Sequence, residues 1–118
     1  MAIIPAVVTD FNRMGVMRIE WAAMATGDTG QPVDWAGHAD RSVQVFGTFG
    51  GSSVAIEGSN DAGPTPTNWN VLTDPQGNAL NITAAGLEMV TEDTCWVRPN
   101  ITGGTGSPIT VQMLLRRK

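Results

Sequence analysis

Along this chain apolar residues recur every second position, the period of a strand with one buried face. In VMRIEWAAM the residues Met17, Ile19, Trp21 and Ala23 alternate with Arg18, Glu20 and Ala22. SVQVFGTF repeats the pattern with Val43, Val45, Gly47 and Phe49 as the inward set. After Gly50-Gly51 the pair Val54 and Ile56 alternates with Ala55 and Glu57, and a Gly-Gly step between two such runs predicts a hairpin turn. The last run is the most regular: Ile109, Val111, Met113 and Leu115 face inward against Thr110, Gln112 and Leu114. Shorter strands are expected at 3 to 8, 68 to 73, 79 to 82 and 94 to 98.

Turn chemistry separates these runs. Ser59, Asn60 and Asp61 carry short polar side chains that bond nearby backbone groups, and so end the strand before them. Asp74-Pro75-Gln76-Gly77 has the residue preferences of a type I turn. Trp69 falls on a short strand between these two reversals, a position that predicts a large side chain capping the core. GGTGS at 103 to 107 reads as a turn joining the final two strands, and Arg98-Pro99 as a sheet edge or strand end, because proline has no amide to donate. TAAGLEMVTED is the best helix candidate, but Gly86 limits it to one turn. The pattern as a whole predicts an all-β chain, an antiparallel β-sandwich of jelly-roll type with about eight short strands. It reads as one domain over residues 1 to 118, with 1 to 13 as an N-terminal arm or edge strand and 26 to 41 as a long polar loop.

Composition narrows what such a domain does. Only 15% of the residues are charged, so much of the surface is neutral and cheap to desolvate against a protein partner. The net charge of −4, with three of seven cations at Arg116, Arg117 and Lys118, argues against nucleic acid. A lone cysteine forms no internal disulfide, and Cys95 beside Trp96 reads as a small core residue. MAIIPAVVTD has no basic leader or long apolar run, so neither a signal peptide nor a membrane span is expected, and synthesis in a cytoplasm is.

Catalytic constellations are poor. His38 is the single histidine, leaving one possible base for a hydrolytic triad, and there is no G-x-S-x-G elbow. Asp34, His38 and Asp40 in DWAGHAD are the one set whose chemistry suits a divalent metal, against the simpler reading of a solvated loop. Asp10, Asp28, Asp61 and Asp74 adjoin turn formers and read as caps, and adjacent Glu92 and Asp93 do not make an acid pair. No catalytic residue, cofactor or metal is assigned.

Two resemblances bear on function. IEGSNDAG with the following NWNVL, within residues 54 to 72, is similar to a strand-turn-strand segment of discoidin-type jelly rolls, which bind glycans or lipid head groups. Those domains are longer and often hold a terminal disulfide. More broadly, VQVFGTFGGSSVAIEGSNDAG, NWNVLTDPQGNALNITAAGLEMVTEDTCWVRPNITGG and ITVQMLLRRK, from 43 to 117, resemble the small β-sandwich decoration (cement) proteins of tailed-bacteriophage capsids. That resemblance implies a non-enzymatic virion protein, made in the host cytoplasm, that bridges major capsid protein subunits on the shell and self-associates as a dimer or trimer. The contacts it implies are the apolar N-terminal residues Ile3, Ile4, Val7 and Val8 and the loop residues Trp35 and His38, with no nucleic acid or membrane as partner. The alternatives are a carbohydrate-binding jelly-roll module of a phage fibre, with Trp35 or Trp69 stacking on sugar, or a head-completion or tail component.

Overall fold

The structure, a computed structural model, describes residues 1 to 10, 15 to 34 and 36 to 117. It is an antiparallel β-sandwich. Eleven strands occur among the described residues: β1 Ile3–Ile4, β2 Val7–Asp10, β3 Val16–Met24, β4 Thr29–Gly30, β5 Asp40–Gly47, β6 Ser53–Ser59, β7 Asn70–Val71, β8 Asn81–Ile82, β9 Gly86–Val90, β10 Trp96–Thr102 and β11 Ile109–Arg116. Sheet A runs β1-β4-β10-β6-β7, with β8 also on β6, and sheet B runs β2-β3-β11-β5-β9. The antiparallel pairs β3·β11, β4·β10, β5·β9 and β6·β7 are nested one inside the next, which is the wrapping of a jelly roll. The sole parallel pairing among these strands is β1 on β4.

Period two selects the core. Ile109, Val111, Met113 and Leu115 of β11, Val43 and Val45 of β5, and Val54 and Ile56 of β6 are all buried between the sheets, as their spacing predicts. The run at 17 to 24 keeps Ile19 and Trp21 inside but then loses step. A bulge in the β3·β11 register, where Ala23 has a φ of 55°, adds a residue, so Met24 is buried in place of the expected Ala23. The buried tryptophan is Trp21, whose indole donates to the Gln31 carbonyl at 3.0 Å. Trp69 does not cap the core: it is half-buried, and the Arg98 guanidinium lies 4.1 Å from its ring centroid.

Several turns expected to close hairpins instead carry the chain from one sheet to the other. Gly50-Gly51 joins β5 in sheet B to β6 in sheet A, and 103 to 108 joins β10 in sheet A to β11 in sheet B. Both lie at one end of the sandwich with the 25 to 28 connection, and their backbones interlock around the buried Ser52. The Ser52 hydroxyl donates to the Gly103 carbonyl at 2.7 Å, accepts the Gly106 amide at 2.8 Å and lies 2.9 Å from the Thr26 hydroxyl, which also donates to Gly103. The loops approach so closely that a Cβ at Gly104 would sit 2.5 Å from the Gly50 carbonyl oxygen.

Three further positions depart from expectation. Residues 86 to 90 form the edge strand β9 and no helical turn, their alternation pairing with β5 from Arg41↔Val90 to Val45↔Gly86. Pro99 lies inside β10, between β4 and β6. Val97 and Ile101, of the same parity, donate toward the β4 side, to Val33 and Asp28. Pro99 falls between them, so its missing amide interrupts only that short ladder. Cys95 is exposed at a strand entry, its amide donating to Asn60 Oδ1 at 3.0 Å.

Replacing Ser52 by Ala strands the buried Gly106 amide and removes two further polar contacts, so it is expected to lower unfolding stability by about 1–3 kcal/mol with an unchanged denaturant slope. Urea unfolding of the single variant checks this, and a loss below about 0.5 kcal/mol would mean that the three loops hold together without it.

Candidate functional site

The N-terminal segment is built into the sandwich as the edge of both sheets. β1 lies on β4 in sheet A, and after Pro5 and Ala6 the chain crosses to lie on β3 in sheet B as β2. Its backbone is tied at each step: the Ala2 amide donates to Asp28 Oδ1 at 2.9 Å, Gln31 donates to the Ile4 carbonyl at 2.7 Å, and Ala6 donates to Gln31 Oε1 at 3.0 Å. Asp28 is buried and also accepts the Ala25 amide at 2.9 Å, so one carboxylate fastens the N-terminus to the loop after β3.

This arrangement brings four expected contact residues to one edge. Ile4 packs against the core, whereas Ile3, Val7 and Val8 remain exposed, Ile3 at 69%. With Met1 they make an apolar margin along the β1 and β2 side. Trp35 lies outside the described residues. His38 sits elsewhere, on the loop entering β5 at the end of the sandwich opposite Ser52.

That opposite end is organised by a buried cation. The Arg41 side chain is fully buried, its Nε donating to the His38 carbonyl at 2.9 Å, its Nη2 to the Thr94 carbonyl at 3.3 Å and to Asp93 Oδ1 at 3.0 Å. Burial pulls the guanidinium below the ordinary arginine value and Asp93 opposes that shift, so Arg41 stays charged in the fold. One side chain therefore fixes the loop before β5 and the connection from β9 to β10.

Beside it, Asp34, Ala36, Asp61, Pro64, Cys95 and Trp96 line an open cleft of about 530 Å³. Trp96 donates from its indole to the Asp61 carbonyl at 3.1 Å, which fixes the floor. Asp61 closes the 61 to 68 loop by accepting the Thr67 amide at 2.8 Å, the Asn68 amide at 2.9 Å and the Asn68 side-chain amide at 3.0 Å. These donors, Asn68 foremost, hold its carboxyl down to about 2. Burial pushes Glu92 up, but donation from the Thr73 hydroxyl and amide outweighs it and leaves the carboxyl below its ordinary value.

The metal reading of DWAGHAD does not assemble. Asp40 pairs with Arg116 on the neighbouring strand, Asp34 faces the cleft, and among the described residues no group of three His, Cys, Asp or Glu side chains converges to hold an ion. The sugar-stacking reading of Trp69 meets Arg98, which occupies one ring face and is itself held by Glu57 at 2.9 Å.

A surface that the sequence reading passed over is the outer face of sheet B. Leu87 and Met89 stand there exposed, and strand alternation within GLEMV would have placed both on one side had the segment not been weighed as a helix. No known protein family matches this chain, and no curated protein is similar to it.

Two outcomes follow for this end of the molecule. Asp93→Ala leaves a buried guanidinium without its carboxylate and is expected to cost about 3 kcal/mol, but under about 1 kcal/mol when Arg41 is already Met, a coupling that a double-mutant cycle measures. Because the folded Asp61 value lies below the ordinary carboxyl value of 3.8, its contribution is complete above that value and disappears as pH falls through about 2. Carboxyl titration by NMR is expected to give a midpoint near 2 in the native chain, and Asn68→Ala is expected to move it upward.

Proposed function

We propose that this chain is a non-enzymatic virion protein of a tailed bacteriophage that decorates the outer capsid surface and stabilises the shell by bridging major capsid protein subunits. The observation that carries the reading is the apolar margin of Met1, Ile3, Val7 and Val8, which make up half of the eight exposed large hydrophobic side chains among the described residues and lie along one edge. Clustered apolar exposure on a small domain marks a protein contact. The resemblance of residues 43 to 117 to capsid decoration proteins supplies the partner.

The mechanism is mass action. A protein that binds only the assembled lattice stabilises it by its binding free energy, and many copies each adding a few kcal/mol let a shell resist internal pressure. The low charge content suits this work, since few ions need desolvating when the edge is covered.

Because β1 and β2 complete both sheets, deleting residues 1 to 9 would remove structure as well as contact, and side-chain substitution is the cleaner test. Co-sedimentation of the purified protein with capsids stripped of it is expected to saturate at hundreds of copies per shell. Ile3→Ser with Val7→Ser, which keeps the backbone pairing, is expected to reduce occupancy at least about tenfold with the fold intact by circular dichroism. Absence of binding, or a dozen copies or fewer at one vertex, would turn attention to the connector and fibre alternatives, and a screen against glycans would then separate those two.

A further inference from the structure

The two outer faces of the sandwich differ in kind. On sheet A the outward side chains of β6 and β10 include Glu57, Arg98 and Asn100, Glu57 pairing with Arg98 and accepting a hydrogen bond from the Asn100 side-chain amide. On sheet B the register sets Leu87 opposite Gln44 and Met89 opposite Ser42, both β5 residues that point away from the core. Leu87, Met89 and the neighbouring Phe46 are 66%, 51% and 42% exposed. Leu114 of β11 stands near them and, with Leu87, lines a shallow depression of about 290 Å³.

The charges on this face are already neutralised within it. Glu20 accepts Arg18 Nη2 at 3.0 Å and Gln112 Nε2 at 2.7 Å, and these donors, Gln112 first, hold its carboxyl below the ordinary value. Arg116 of β11 pairs with Asp40 of β5. A face that is apolar on one side and charge-balanced on the other has the composition of a protein interface.

We propose that a second copy of this chain docks on the outer face of sheet B, face to face about a two-fold axis. Area and charge single out this occupant. Five strands of four to nine residues, spaced by about 4.8 Å and rising about 3.3 Å per residue, give a footprint of about 500 Å², so two copies covering the whole face bury about 1,000 Å², the lower limit for a specific interface. A two-fold axis sets the face against itself, which a single-signed face would resist and this balanced one does not. Strand addition at the β9 edge is the competing geometry. It is opposed by Glu88, which lies opposite the inward-facing Val43 and so puts a charge on the inner side of that edge.

The proposal does not depend on the capsid reading, and its test uses the purified chain alone. Sedimentation equilibrium is expected to show a reversible dimer. Leu87→Lys with Met89→Lys is expected to raise the dimer dissociation constant about a hundredfold, since each change acts twice at a two-fold interface. Thr102→Lys, on the outer face of sheet A, is expected to leave it within about threefold. Should the paired variant fail to fold, Gln44→Glu adds a like charge to both copies, and is expected to weaken the dimer about tenfold at low salt and less at high salt. A chain that stays monomeric at several hundred micromolar, an assembly of any other stoichiometry, or a dimer indifferent to the sheet B substitutions overturns the proposal.

Discussion

The Ser52 hydroxyl sits where a jelly roll is hardest to build. Two sheets about 10 Å apart can share one chain only if connections pass between them, and a connection that dives under its neighbours leaves backbone amides and carbonyls away from water. Here the 25 to 28, 48 to 52 and 103 to 108 connections meet at one end, and one buried oxygen contacts a carbonyl, an amide and a second hydroxyl from them. The lengths of these loops set where β5 and β10 end and where β6 and β11 begin. The alternating burial along those strands, which is the core itself, thus rests on a junction held largely by polar contacts, with Phe49 as its one large apolar side chain.

The opposite end solves the same problem with a charge. Arg41 reaches carbonyls of two separate loops and one carboxylate, which a hydroxyl is too short to do, and a guanidinium keeps its proton even when burial disfavours the charged form. Three further ion pairs among the described residues join strand neighbours: Arg98 with Glu57, Arg18 with Glu20, Arg116 with Asp40. Local pairing is what leaves the margins of the sandwich, β1 with β2 on one side and β9 on the other, free to carry Ile3, Val7, Leu87 and Met89 in water.

The strands were legible in the sequence because period two is a local property, visible in any run with one wet face. What escaped was everything decided at a distance. Gly50-Gly51 looks like a hairpin turn because glycine permits the reversal in either case, and only the nesting of pairs tells a crossing from a hairpin. The bulge at Ala23 shifts a whole face by one residue with no more signal than two alanines. Trp21 and Trp69 each lie on an apolar parity, but Trp69 precedes an edge strand of only two residues, β7, and meets Arg98 as its partner. Leu87 and Met89 were hidden by their setting: helix-forming neighbours and an exposed edge both mask an alternation that only five residues display. The expected contact residues divided for a similar reason, since apolar character marked Ile3 and Val7 while only tertiary pairing could show that they edge two sheets.

The two apolar surfaces lie on different parts of the sandwich, and that separation has a consequence for the functional reading. Sheet B runs from β2 to β9, so the Met1, Ile3 and Val8 margin and the Leu87 and Met89 patch sit at opposite edges of the molecule. A copy docked over the whole outer face of sheet B covers Val7, which lies beside Glu20 on that face, and leaves Ile3, on β1 of sheet A, open to a lattice. On the proposed dimer, the two N-terminal margins would be held at a fixed separation, so the second contact with a lattice becomes intramolecular once the first is made. Apparent affinity then grows by the effective concentration that the dimer imposes, but only on a surface whose repeat matches the spacing of the margins. Free subunits offer no such spacing. Weak individual contacts of the size a bare edge provides would in this way favour an assembled shell over its building blocks, the selectivity that a stabilising coat requires.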